Sequence, residues 1–138
     1  MHCFSCSTLQ KTEEIAKKFS AYALKGRCFA LYGDLGSGKT TFSKFLIQSL
    51  NPKIENVTSP TFNIVQTYGC SIAEIWHVDC YRLKSASEII ELGLEEAFAN
   101  CITIIEWPEI IENYLPSDTI RIYFSLKNQS RTIESEFK

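Results

Sequence analysis

Lys39 and Thr40 close an eight-residue run, Gly33-Asp34-Leu35-Gly36-Ser37-Gly38-Lys39-Thr40, whose residue types and spacing suit one chemistry. The run fits G-x-x-x-x-G-K-[ST], a loop that wraps phosphate groups. Glycine at 33, 36 and 38 lets the backbone bend tightly and bring its N–H groups against phosphate oxygens, where a Cβ would intrude. Lys39 adds a charge for the β- and γ-phosphates, and the Thr40 hydroxyl suits Mg²⁺.

Such a loop also needs an acid to orient the metal or the attacking water, normally at the end of a neighbouring strand. Two acids stand in that position. Asp79 follows the apolar segment 72–78, and Glu106 follows Ile102-Thr103-Ile104-Ile105. The residues alone leave open which of them orients the water. Ser59-Pro60-Thr61-Phe62 offers a hydroxyl that can sense the γ-phosphate or Mg²⁺, with Pro60 holding Ser59 extended. His77 and Arg82 flank Asp79. A lone His on an apolar strand reads first as a core residue, and Arg82 as a partner for Asp79 or for transferred phosphate charge. Trp107 is placed either to shield a nucleotide from water or to pack in the core.

The elements that must position these groups follow from periodicity. Arg27–Tyr32 is an apolar strand before the loop, and Phe42, Phe45, Leu46, Ser49 and Leu50 recur at helical spacing after it, giving a helix from Thr40 to Leu50. This strand–loop–helix order aims a helix N-terminus at an anion. A first helix is predicted over Thr8–Lys25, capped at Thr12 and ended by Gly26. Thr61–Tyr68 and Ser71–Val78 predict a hairpin, Ser87–Asn100 a helix weakened by Gly93, and Cys101–Ile105 a strand covered on both faces. Pro108–Leu115 reads as a short helix, Ile120–Leu126 as an alternating strand, and Arg131–Glu136 as its partner. The fold class is α/β: a single P-loop NTPase-like domain with a mostly parallel, mixed central sheet flanked by helices.

The 138 residues suffice for one domain with its own core. Residues 8–138 are expected to form it, with residues 1–7 flexible. A net charge of −2 argues against tight nucleic-acid binding by this chain alone. Charges interrupt every apolar stretch, and the start Met1-His2-Cys3-Phe4-Ser5-Cys6 lacks the layout of a secretory signal, so a cytoplasmic protein is expected. Cys28, Cys70, Cys80 and Cys101 lie in or beside apolar segments and read as small hydrophobes, and Cys3 and Cys6 as free thiols.

Four elements stand in order: Gly33 to Thr41, Ser59-Pro60-Thr61-Phe62, His77-Val78-Asp79-Cys80-Tyr81-Arg82, and Ile105-Glu106-Trp107-Pro108-Glu109. Together they resemble the TsaE family, small ATPases of bacterial tRNA N6-threonylcarbamoyladenosine biosynthesis, over nearly the whole chain. The resemblance implies Mg²⁺-dependent ATP hydrolysis, weak in isolation. It also implies the partners TsaD and TsaB, the complex that transfers threonylcarbamoyl to adenosine 37 of tRNA and that the ATP cycle would reset or regulate. By motif, Gly36, Ser37, Gly38, Lys39, Thr40 and Thr41 would hold the phosphates, while Thr40 and Glu106 would bind Mg²⁺. Thr61 would lie in a first switch region, Tyr81 and Arg82 in a second. Asp79 would support the metal or the water, and Trp107 would sit near the nucleotide. Leu9, Thr12 and Arg131 would touch the adenosine.

Rival readings are weaker on residues. A GTPase needs N-K-x-D, and Leu126-Lys127-Asn128-Gln129-Ser130 lacks the Asp. A small P-loop kinase would carry an arginine-rich lid, whereas Arg27, Arg82, Arg121 and Arg131 are scattered. A nucleotide-gated module with little turnover would share the loop and differ only in its response to partners.

Overall fold

Cys28–Tyr32 and Ile102–Glu106 carry apolar residues at successive positions, a composition that needs cover on both faces. In the computed structural model, which describes residues 2–136, these segments lie side by side in the middle of a mixed sheet. The strands are β1 (His2–Ser5), β2 (Cys28–Tyr32), β3 (Val65–Tyr68), β4 (Ile75–Asp79), β5 (Ile102–Glu106), β6 (Ile120–Lys127) and β7 (Ser130–Ser135), in spatial order β1-β7-β6-β2-β5-β4-β3. The inner pairs β6/β2, β2/β5 and β5/β4 are parallel, while β1/β7, β7/β6 and β4/β3 are antiparallel.

Period-two alternation divides the strand residues between two cores. Phe29, Leu31, Ile75, Ile102, Ile104, Ile120, Ile122 and Phe124 point to the face covered by α1 (Leu9–Ser20) and α2 (Lys39–Leu50). There they meet Ile15, Phe19, Phe42 and Leu46. Cys28, Val78 and Ile105 point to the opposite face, covered by α3 (Ser87–Ile90), α4 (Leu94–Asn100) and the 3₁₀ turn Pro108–Tyr114. The expected α/β class with a mixed, helix-flanked sheet is the fold observed.

Several boundaries differ from expectation for identifiable reasons. Residues 2–5 are not a loose terminus: they form β1, registered His2↔Ser135 to Ser5↔Thr132, and Cys6 is buried behind them. Met1 lies outside the described residues, as do residues 137–138 at the end of the expected domain. The first helix is capped by Thr8, not Thr12, because the Thr8 hydroxyl accepts from Lys11 N at 3.1 Å. Thr12 is instead buried on the inner face. That helix stops at Ser20, five residues before Lys25. The hairpin strands are shorter than predicted. The predicted helix 87–100 is two, broken where Gly93 takes φ 101°. The short helix at 108 is 3₁₀.

Candidate active site

The loop joining β2 to α2 leaves the sheet at its centre. Gly36 and Gly38 have φ of 78° and 110°, and a Cβ built on either would meet nothing within 4 Å, so both border open space. α2 starts at Lys39 with no side-chain cap at Gly38, and the leading N–H groups of a helix have no partner within it. Lys39 is buried, and its Nζ donates to the carbonyls of Gly33 and Asp34. Burial lowers its pKa, against the nearby carboxylates of Glu106, Glu109, Asp34 and Asp79.

The two acids face this loop from neighbouring strands. β4 and β5 run parallel with Asp79 in register opposite Glu106, so both carboxylates emerge at the same sheet edge. Thr40 Oγ1 donates to Glu106 Oε1 at 2.6 Å, and His77 Nε2 lies 2.6 Å from Glu106 Oε2. Burial pushes the Glu106 carboxyl up, but the bonds from His77 and Thr40 and the Lys39 charge outweigh it and hold it below the usual range. Asp79 is pinned differently. Its Oδ1 accepts from Tyr81 N at 2.9 Å and its Oδ2 from Thr61 Oγ1 at 3.2 Å, while the Thr61 hydroxyl meets Ser59 Oγ at 2.6 Å. The Ser59–Thr61 loop is thereby tied to the second acid.

Aromatic rings close the mouth. Trp107 has left-handed φ 57° and ψ 56°, which a bulky side chain rarely adopts. This turn lays its indole over Lys39 Nζ, 3.9 Å from the ring centroid, and against Tyr81 at 4.8 Å. Arg82 stacks over the exposed Phe62 at 4.4 Å.

These groups line a cleft of about 310 Å³. Gly36, Gly38, Lys39, Thr40 and Thr41 form its floor, and Thr61, Asp79, Glu106 and Trp107 its walls. Arg131 closes the far side, its Nη2 within 3.4 Å of the Gly36 carbonyl. An adjoining crevice is lined by Leu9, Thr12, Ser37, Gly38, Thr41 and Arg131. Leu9, Thr12, Gly36 to Thr41, Thr61, Asp79, Glu106, Trp107 and Arg131 thus lie on one of two clefts that share Gly38, Thr41 and Arg131, whereas Gly33 lines neither and packs against Phe124.

The donors fit a magnesium nucleotide. They are oxygens, one hydroxyl and two carboxylates, as a hard cation prefers. Among the described residues no group of three His, Cys, Asp or Glu could cage a metal. The open space beside Gly36 and Gly38 is what a phosphate chain would fill, and Ser37 Oγ is buried without a hydrogen-bond partner at the same loop.

A profile of the family described as "Threonylcarbamoyl adenosine biosynthesis protein TsaE" matches residues 6–133. The chain belongs to the TsaE family. It is similar to the tRNA threonylcarbamoyladenosine biosynthesis protein TsaE of Rickettsia bellii, 41% identical over 90% of this chain and 86% of that protein. The protein of the same name from Bacillus subtilis is 39% identical over 82% of this chain and 70% of its own. Among solved structures, the crystal structure of Bacillus subtilis YdiB superposes with a TM-score of 0.79 at 30% identity, covering 97% of this chain and 83% of that one.

Reading the TsaE-like motifs in sequence missed three features of this site. Cys6, expected on a loose terminus, lines the crevice beside Leu9. Its N and Sγ both donate to the Arg131 carbonyl, at 3.0 and 3.4 Å, because β1 pairs with β7. Trp107 covers Lys39, which a helical reading of its neighbours could not reveal. His77 bonds directly to Glu106, and only their parity on adjacent parallel strands signals it.

Proposed function

We propose that this TsaE-family chain is the Mg²⁺-dependent ATP-binding and ATP-hydrolysing component of the bacterial machinery for tRNA N6-threonylcarbamoyladenosine. We propose further that it works in the cytoplasm with TsaD and TsaB, which carry out the transfer. The observation that carries the reading is the Lys39–Thr40 turn facing Glu106 and Asp79 across one cleft. Among the described residues no helix is long and apolar enough to cross a membrane, which is compatible with that location.

In this reading the glycine loop and the first turn of α2 receive the β- and γ-phosphates, and Lys39 exchanges the Gly33 and Asp34 carbonyls for phosphate oxygens. Thr40 and Glu106 would hold Mg²⁺, which would supply charge neutralisation for the phosphoryl group. Asp79, already accepting from Thr61, orients the water or the switch loop that places it. Trp107 and Tyr81 exclude bulk water from the mouth, which strengthens the electrostatic contacts inside. Arg131, Leu9 and Thr12 border the adenosine. Turnover by the chain alone is weak in this reading and rises when the partner complex engages.

The test is ATP hydrolysis with Mg²⁺, alone and with a TsaB–TsaD complex and tRNA. Stimulation that disappears in Lys39→Ala supports the proposal. ATP binding with no stimulated turnover shifts it to a nucleotide-gated module.

A further inference from the structure

His77 is fully buried on β4, two positions before Asp79. Packing does not call for a polar ring there, since Ile75 on the same strand face and Ile104 in register beside it are fully buried aliphatics. The ring makes one hydrogen bond: Nε2 to Glu106 Oε2 at 2.6 Å, while Nδ1 is buried without a partner. A carboxylate oxygen only accepts, so Nε2 carries the proton and donates. The whole polar capacity of the side chain is directed at one atom.

That atom matters because the torsion that spins a carboxylate about its last bond is broad. Thr40 holds Oε1 and His77 holds Oε2, so the two contacts together fix the carboxylate plane. Water is excluded at both residues, which leaves the His77 contact without competition. We propose that His77 is a positioning residue: its Nε2–H holds Glu106 in the orientation that a magnesium nucleotide requires, without touching the metal or the nucleotide. The inference rests on the ATP–Mg²⁺ reading of the cleft.

The test is calorimetric binding of a non-hydrolysable ATP analogue with Mg²⁺ and with EDTA. In His77→Leu the gain in affinity from Mg²⁺ should fall about 10- to 100-fold, the usual cost of losing a partner to a metal ligand, with EDTA affinity unchanged within about twofold. His77→Gln, whose terminal amide reaches the place of Nε2, should recover most of the gain. On a Glu106→Gln background, His77→Leu should cost nothing further. If His77→Leu does not fold, His77→Asn repeats the contrast, because its amide is one carbon too short and should behave as the Leu variant does. The proposal is overturned if the variants keep the wild-type response to Mg²⁺, if both affinities fall together, or if Gln behaves as Leu or Asn does. Wild-type protein that binds the analogue no better with Mg²⁺ would instead sink the ATP–Mg²⁺ reading itself.

Discussion

Thr40 and Glu106 are 66 positions apart in the chain, yet the Thr40 hydroxyl donates to the Glu106 carboxylate at 2.6 Å. The contact exists because β2 and β5 are parallel neighbours, with Leu31 in register opposite Glu106. Both strands deliver their C-terminal ends to the same edge, where ligands of open α/β sheets collect. Glu106→Ala should abolish the Mg²⁺-dependent part of ATP affinity. It also strands the buried His77 donor, which should cost about 1–3 kcal/mol of stability. Calorimetry with and without Mg²⁺, beside urea unfolding, checks both; equal ATP affinity in the two buffers for wild type and variant alike would remove Glu106 from the metal site.

Lys39→Ala should lower ATP turnover by about 10²-fold or more, since the lost charge stabilises developing phosphate charge in a site with few other cations. Thermal stability should change little, because the loss of two bonds to loop carbonyls and of the Trp107 ring contact is offset by removal of a buried charge. Steady-state hydrolysis and a melting curve on the same preparation decide this, and turnover near the wild-type rate would refute the phosphate-loop assignment.

Two glycines of one loop should fail in different ways. A Cβ on Gly33 would sit 2.6 Å from the Phe124 carbonyl oxygen and 2.8 Å from Ser37 Oγ, so Gly33→Ala should destabilise the fold by about 1–3 kcal/mol. Gly36→Ala meets nothing within 4 Å and should cost about 1 kcal/mol through its positive φ alone, while ATP affinity falls. Denaturation midpoints and ATP titrations of the pair would contradict this if both variants lost stability equally.

Trp107 should report ATP. Lys39 Nζ sits over its ring, and moving that charge onto phosphate must alter indole emission. The chain has two tryptophans, so a Trp76→Phe protein isolates the signal. A saturable, ATP-dependent change is expected there and none in Trp107→Phe; a silent Trp107 at saturating ATP would mean that Lys39 stays beneath it.

A pH effect arises at residues that do not line the cleft. On the opposite sheet face Glu112 accepts from Tyr32 at 2.5 Å and from Arg121 at 2.7 Å. Burial pushes the Glu112 carboxyl up, but these bonds and the Arg121 charge hold it below the ordinary value of 4.5. A depressed carboxyl stabilises the fold above its unfolded pKa, and that contribution is lost as pH falls through the folded one. Glu112→Gln should therefore melt lower than wild type near neutral pH. The gap should shrink from about pH 4.5 downward and close once Glu112 is protonated; a gap that is constant with pH would mean that the charge contributes nothing.

Much of this was legible in the sequence because the informative patterns are local. The glycine loop, its flanking strand and helix, and the acids at two strand ends are each set within about ten residues. What was missed depends on partners far along the chain. His-Cys-Phe-Ser carries no alternation of its own and becomes β1 only because β7 offers an edge. Thr8 and Thr12 are equally good caps by type, and burial of the second inner turn chooses between them. His77 looked like core filling, and only the register of β4 against β5 turns it toward Glu106. The left-handed turn at Trp107 has no local signature, since neither glycine nor asparagine marks it.

Phe4, Phe19, Phe42 and Phe124 meet edge to face in a chain of contacts at 6.3, 5.8 and 5.3 Å. Phe42 lies one turn into α2, three residues beyond Lys39. The helix that presents the phosphate cradle is thus wedged between another helix and the sheet by rings that cannot shear past one another cheaply. Any ordering entropy lost on ATP capture must then fall on the loops around Thr61 and Tyr81, and scarcely at all on the scaffold. Mutations at Phe4, Phe19 or Phe42 that loosen the ring stack should slow capture even though these three rings line neither the cleft nor the adjoining crevice.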